Sequence, residues 1–370
     1  MRPENQSTAR IFGLDFVRAT AISFVLFSHL YYLIGSQNPV LISLSGLFGY
    51  AGVELFFVLS GFLIGTLLLK MFVKDFVTPS DLFRFFKRRW FRTLPLYYVA
   101  LLLNVAIAFA FGYSKEGIWR YFLFVQNFNK DYITFFPESW SLSVEEWAYL
   151  LLPVLLFIGW QLFKKQPKSS FLVTSLLVIL ALHWLRYHHY LNHRTTDMTV
   201  WNAEVKSVVI FRIDAIAVGF IVAWAHFYYE AVLRKIAVYG FIVAAHLFLL
   251  QFLVLNVMSV DIFSAPVYFH VFYFTLTSFT FALALPFFIF WKSSATVMGK
   301  MITVMSKISY AAYLIHYCIM SALLKYLMSY LGWTLSSFPL ILIYLFLTLA
   351  VSYLLHRYFE KPIMDMRDRW

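Results

Sequence analysis

Arg18 and His29 both fall inside the first apolar stretch of the chain, which runs from Ile11 to Ile34. On a helix, eleven residues turn through about 1100°, roughly 20° past three full turns, so the two side chains share one face about 16 Å apart. An ionised Arg near the middle of a membrane helix costs on the order of 3 kcal/mol, so such a stripe is expected to face a protein interior or a watery cavity. An imidazole there has the chemistry to take a proton from a hydroxyl. The plainer alternative is a structural Arg18 paired with Asp15, three residues earlier, beside a hydrogen-bonded His29.

A second group surrounds Pro137-Glu138-Ser139-Trp140-Ser141-Leu142-Ser143-Val144-Glu145-Glu146-Trp147. Ser143 and Glu146 have the spacing of a capping box, which gives Glu146 the task of starting a helix. Glu145 points about 100° away. A carboxylate at that depth can orient His29 and raise its basicity, or it can simply face water. A third group is the basic, aromatic-laced run Phe83 to Arg92. Its Lys and Arg suit a membrane surface. Arg89 and Arg92, three apart, share a helical face and can together grip a phosphate. Glu54, Arg212, Asp214, Tyr310 and His316 are further polar side chains in apolar surroundings, and so candidates by position. Arg212 and Asp214 cannot pair with each other on one helix, so each needs a partner elsewhere. For His316 a hydrogen bond to a neighbouring helix is the simpler account. Ser60, Gly61 and Gly65 read as helix-packing residues. His183, His188, His189 and His193 lack the Cys or acidic companions of a zinc site, so no metal is expected. The sequence contains no P-loop, dinucleotide fingerprint or nucleophile elbow.

The elements that must position these groups follow from composition. Of 370 residues, 62% are hydrophobic and 13% charged, and the mean hydropathy is +0.75. This is an all-α integral membrane protein. Ten apolar segments are long enough to span: 14–35, 48–70, 94–113, 147–163, 171–190, 207–228, 236–256, 268–290, 308–328 and 338–356. Residues 1–370 read as a single transmembrane domain with no additional soluble domain and no cleavable leader. With both termini cytoplasmic, the cytoplasmic loops collect most of the 30 Lys and Arg. They include Arg2, Arg10, Lys74, Lys164, Lys165, Lys168, Arg234, Lys235, Arg357 and Arg369, a positive-inside distribution. The net charge of +12 therefore reads as topology and contact with membrane lipids, not as nucleic-acid binding. Cys318 is the only cysteine, which precludes an intrachain disulfide.

The motifs, taken in order, resemble the membrane acyltransferase type 3 family. The resemblance is carried by Gly13-Leu-Asp15-Phe-Val-Arg18 with His29, by Gly52-Val-Glu54 through Ser60-Gly61, and by Arg89-x-x-Arg92 with Pro95 and Tyr97. It continues in Ser139-Trp-Ser-Leu-Ser143-Val-Glu145, Phe211-Arg212-Ile-Asp214, Ser309-Tyr310-Ala-Ala-Tyr313-Leu-Ile-His316 and Phe359-Glu360-Lys361-Pro362. Glu54 departs from the Asp often found there, and the family's acid is carried onto Glu145. The resemblance implies a multi-pass enzyme of the bacterial inner membrane. Its members commonly move acetyl from cytoplasmic acetyl-CoA to a sugar hydroxyl of an envelope glycan, such as lipopolysaccharide O-antigen. On that pattern Arg89 and Arg92 hold the phosphates of CoA and Arg18 orders the arm or the acyl carbonyl. His29, oriented by Glu145 or Glu54, serves as general base, with an acyl-His29 intermediate as the variant. Trp119, Trp140 and Trp201 are candidates to stack on sugar rings. The polar stripe alone also fits a proton-coupled permease or a flippase.

Overall fold

The computed structural model describes residues 10–73, 77–130, 133–163, 166–195, 197–258, 260–333 and 335–367, the side chains of 256 and 257 excepted. The expected topogenic charges at Arg2, Lys74, Lys164, Lys165 and Arg369 lie outside these residues. The order is α1 (Phe12–Ile34), α2 (Pro39–Phe72), α3 (Pro79–Phe111), the short α4 (Ile118–Phe122), α5 (Ser139–Leu162), α6 (Pro167–Asn192) and the short α7 (Met198–Trp201). It continues with α8 (Asp214–Phe252), α9 (Tyr273–Phe290), α10 (Val297–Ile315), α11 (Ala322–Leu331), α12 (Ser337–Leu355) and α13 (Lys361–Arg367). Several are prolonged by π-helical turns, notably His316–Ser321 between α10 and α11. Among the described residues nine helices are long and apolar enough to cross a membrane.

The tenth expected segment is contained in α8. At 39 residues this helix would be about 58 Å long if straight, nearly twice a bilayer's hydrocarbon core. It breaks at Tyr229, where φ is −137° and ψ is 36°. Its neighbours along α9 give the path. Asp214 meets Thr275 and His226 meets Phe290. After the break Phe241 meets Phe287, Phe248 meets Phe281 and Gln251 meets Thr277. The first leg ascends α9 and the second descends it, so α8 makes two passes. The span expected to open at 207 opens at Asp214. Residues 207–211 are tied instead to a loop, by Asn127 Nδ2 on the Ser207 carbonyl (2.5 Å) and Val209 N on the Asn127 carbonyl (2.9 Å).

Two other starts differ from expectation. The basic run 83–92, expected at the membrane surface between two spans, forms the opening turns of α3, which continues through Pro95 to Phe111. Thr78 and Asp81 form its capping box and Pro79 stands at its first position, where a missing N–H costs nothing. The helix of the fourth span, expected near 147–163 with Ser143 and Glu146 as its capping box, starts at Ser139. Ser143 is no cap: its hydroxyl accepts from Gln126 Nε2 (2.6 Å) and donates to the Ser139 carbonyl one turn earlier (3.3 Å). Glu146 is consequently an interior helical residue.

α2 is the central pillar, packed on α1 and on the first leg of α8. Gly61 and Gly219 face each other there. A Cβ on Gly61 would strike the Ile216 carbonyl, and one on Gly219 the Val58 carbonyl. Small residues allow this close backbone approach.

Candidate active site

Two cavities lie end to end through the bundle. The first, about 90 Å³, is basic. Arg18 comes from α1, Ser60 from α2, Arg89 and Arg92 from α3, Glu145 and Tyr149 from α5, and Tyr310 from α10. The second, about 660 Å³, is aromatic, with His29, Tyr32, Tyr50, Trp140, Trp201 and Tyr317 in its wall beside Glu138 and Lys206. Val53 and Tyr313 line both and so mark the point where they meet. The unbroken α1 sets Arg18 on the first cavity and His29 on the second.

The basic cavity concentrates cations. The Arg89 guanidinium lies 4.5 Å above the Tyr149 ring, and its buried Nε has no hydrogen-bond partner. Neither Arg89 nor Arg92 forms an ion pair among the described residues. Arg18 is held loosely, 4.0 Å from Asp15 and 3.4 Å from Ser306 Oγ. Asp15 itself is committed to Arg10 (2.5 Å) and Ser306 (2.8 Å). The one carboxylate in the wall, Glu145, accepts a hydrogen bond from Ser60 (2.8 Å). Tyr310 donates to the Thr93 carbonyl (2.8 Å), locking α10 to α3. Three guanidinium groups around a narrow space, one with an unused donor, suit an anionic ligand with an extended arm.

Behind the wall of the aromatic cavity His29 pairs with the buried His316. His29 Nδ1 lies 2.9 Å from His316 Nε2 and 3.1 Å from the Val25 carbonyl. His316 Nδ1 in turn lies 2.8 Å from the Tyr313 carbonyl. Carbonyls only accept, so the network assigns a proton to Nδ1 of both rings. His29 Nε2 is left with its lone pair and no protein partner among the described residues, the state of a ready base. Tyr317 packs on the same ring at 4.4 Å. The π-helical turn that carries His316 and Tyr317 also presents the Cys318 N–H to Glu138 Oε1 (3.0 Å). Single π-turns of this kind recur at functional sites. Glu138 is 4% exposed and its Oε2 is unpaired. It stands just outside α5, and burial pushes its carboxyl up to about 7.

The structure separates residues that the sequence grouped. Glu145 belongs to the basic cavity and does not touch His29; His316 occupies the orienting position instead. Glu54 pairs with Arg212 and accepts from Ser278 (2.8 Å). Asp214 pairs with Arg186 (2.9 Å) and accepts from Thr275 (2.5 Å). Arg212 and Asp214 thus find their partners on α2 and α6. These two ion pairs are fully buried and line neither cavity, so Glu54 does not orient His29 either. Trp140 and Trp201 line the aromatic cavity, whereas Trp119 is 60% exposed outside it. Glu138, Lys206 and Tyr149 line the cavities without having been singled out from the sequence, and Ser60, read there as a packing residue, lines the basic one. Only the position of Glu138, two residues before Trp140, was a usable signal. Among the described residues no group of three or more His, Cys, Asp or Glu is placed to hold a metal ion.

Comparison with known proteins gives one family. A family model described as an acyltransferase domain matches residues 11–357. O-acetyltransferase OatA of Staphylococcus aureus (strain NCTC 8325 / PS 47) is 30% identical over 194 residues, 47% of this chain and 30% of that protein. Peptidoglycan O-acetyltransferase OatA of Listeria monocytogenes is 31% identical over 156 residues, covering 37% and 24%. The putative peptidoglycan O-acetyltransferase YrhL of Bacillus subtilis is 30% identical over 183 residues, covering 45% and 27%. The chain thus spans less than a third of the length of these relatives. No solved structure matches.

Proposed function

The chain belongs to the acyltransferase family whose model spans residues 11–357, and on that premise we propose that it is a membrane O-acetyltransferase working across its two cavities. The donor is acetyl-CoA and enters at the basic cavity, where Arg89 and Arg92 hold its phosphates. Arg18 lines the same cavity and orders the arm. The positive-inside charge pattern supports a cytoplasmic position for this end. The acceptor is a sugar hydroxyl of a cell-envelope glycan and occupies the aromatic cavity. The names of the relatives make a peptidoglycan strand the first acceptor to test, ahead of lipopolysaccharide. The thioester reaches the boundary at Val53 and Tyr313. There His29 Nε2 takes the hydroxyl proton as the oxygen attacks the thioester carbonyl. The carbon–sulfur bond breaks, and the proton passes from His29 to the departing CoA thiolate.

The observation that carries this reading is the unpartnered Nε2 of His29 in the aromatic cavity, which meets the arginine-lined cavity at Val53 and Tyr313. The permease and flippase readings give no reason for a phosphate grip at one end. The test is binding of acetyl-CoA to the purified protein, wild type against Arg89→Ala/Arg92→Ala. The expected result is micromolar binding that the double variant loses by at least about tenfold, the equivalent of one charge-assisted contact or more. Absence of binding by folded wild type would overturn the reading.

A further inference from the structure

Among the described residues Lys206 is a cation without an anion. It ends a π-helical turn, Asn202–Lys206, whose last carbonyl is held by Arg212 Nη1 at 2.9 Å. Its backbone is thereby fixed to the buried Arg212–Glu54 pair. Its side chain enters the aromatic cavity with Nζ 5.8 Å from the centre of the Trp140 ring. No carboxylate lies within ion-pair distance of that Nζ among the described residues. The two acids of the same cavity are turned to other donors. Glu138 Oε1 takes the Cys318 N–H. Asp261 Oδ1 takes the N–H groups of Phe263 and Ser264 and the Ser264 hydroxyl. Burial alone lowers Lys206, outside the spans, to about 8. A desolvated ammonium with no counter-charge is costly, and a ligand that brings the anion recovers that cost. The rest of the wall suits a saccharide, since the Trp140 and Trp201 rings give apolar faces with polar edges.

We propose that the aromatic cavity selects an acceptor sugar bearing an acidic substituent, a carboxylate or a phosphate, and that Lys206 is its counter-ion. The inference rests on the acetyltransferase reading and narrows its acceptor. The acidic group docks against Lys206, and the hydroxyl to be acetylated, on the same or the adjoining sugar, is presented to His29 in the same cavity.

The experiment uses the full chain in lipid vesicles with acetyl-CoA as donor and two pairs of synthetic acceptors. One pair is an alternating N-acetylglucosamine–N-acetylmuramic acid tetrasaccharide with free carboxylates, against its methyl ester. The other is a glycerol-phosphate-substituted N-acetylglucosamine oligomer against its unsubstituted parent. For wild type, the acidic member of one pair has a KM about tenfold below that of its neutral partner, and the pair that does so identifies the acid. Lys206→Gln brings that ratio to about one, and Lys206→Arg restores it. Acetyl-CoA binding at the basic cavity, which Lys206 does not line, reports that each variant is folded. Equal KM values for both members of both pairs in wild type overturn the inference without recourse to any variant. A ratio that survives Lys206→Gln overturns it too, as does a fall in kcat on acidic and neutral acceptors alike, the signature of oxyanion stabilisation. Wild type that transfers acetyl from acetyl-CoA to none of the four overturns the acetyltransferase reading itself.

Discussion

His29 owes its poise to a neighbour, not to the helix that carries it. An isolated imidazole at that depth can hold its proton on either nitrogen. The pair with His316 and the Val25 carbonyl removes the choice, since both present lone pairs to Nδ1. His316 is fixed in the same way by the Tyr313 carbonyl, and it is wholly buried. The part proposed for it is therefore positioning. Loss of a general base costs about 10²- to 10⁴-fold in rate, so His29→Ala sets the scale. His316→Phe keeps the bulk, withdraws the acceptor, and is expected to lower kcat by about tenfold, a fraction of that scale. Its affinity for acetyl-CoA is expected to match wild type. His316→Gln, which can still offer an oxygen, recovers part of the rate. Equal kcat values for His316→Phe and wild type, measured as acetyl transfer per folded protein, would assign the orientation of His29 to the Val25 carbonyl alone.

At the scale of elements, what the sequence discloses depends on how local the cause is. The apolar segments were legible because hydrocarbon demands about 20 consecutive apolar residues. Gly61 was legible as a packing residue, and it meets Gly219 across α2 and α8. The start of α5 was not legible, because the residue that engages Ser143 is Gln126, in a loop seventeen positions earlier. The two passes of α8 were legible as two segments, but the absence of any loop at Tyr229 was not. The Gly61–Gly219 contact ties the first leg of α8 to the pillar and thereby sets Arg212, just before that leg, beside Glu54. Gly219→Val inserts a branched side chain where a single Cβ already meets the Val58 carbonyl. Overpacking of this kind typically costs about 1–3 kcal/mol. The expected result is a lowered unfolding temperature in detergent, with Gly46→Ala on α2, where an added Cβ meets nothing within 4 Å, as the comparison. An unchanged midpoint for Gly219→Val would mean that α8 shifts along α2 at no cost.

For the whole molecule, the proposed transfer requires two cavities in register, and this was the least legible property of the sequence. Ionisable side chains in apolar segments announce themselves, so Arg18, His29, Glu54, Glu145, Arg212 and Asp214 were all visible. Their sorting was not, since it depends on which helices adjoin. Two of the acids close buried ion pairs that hold α2, α6, α8 and α9 together, and only Glu145 lines a cavity. The join between the cavities is small, with Val53 and Tyr313 common to both walls. Tyr313 is pinned, its hydroxyl 2.5 Å from Ser141 Oγ and donating to the Glu138 carbonyl at 3.2 Å. Val53 is 7% exposed and its side chain is the smaller of the two. If acetyl crosses here, the join is a passage that one bulky side chain can close. Val53→Trp is expected to retain acetyl-CoA binding, because it leaves Arg89 and Arg92 in place, and to transfer none of it. The Arg89→Ala/Arg92→Ala protein is expected to fail earlier, at binding. Measuring donor binding and acetyl transfer on the two proteins side by side separates entry from crossing. Transfer at the wild-type rate by Val53→Trp would place the crossing elsewhere in the bundle and leave His29 without a donor at this junction.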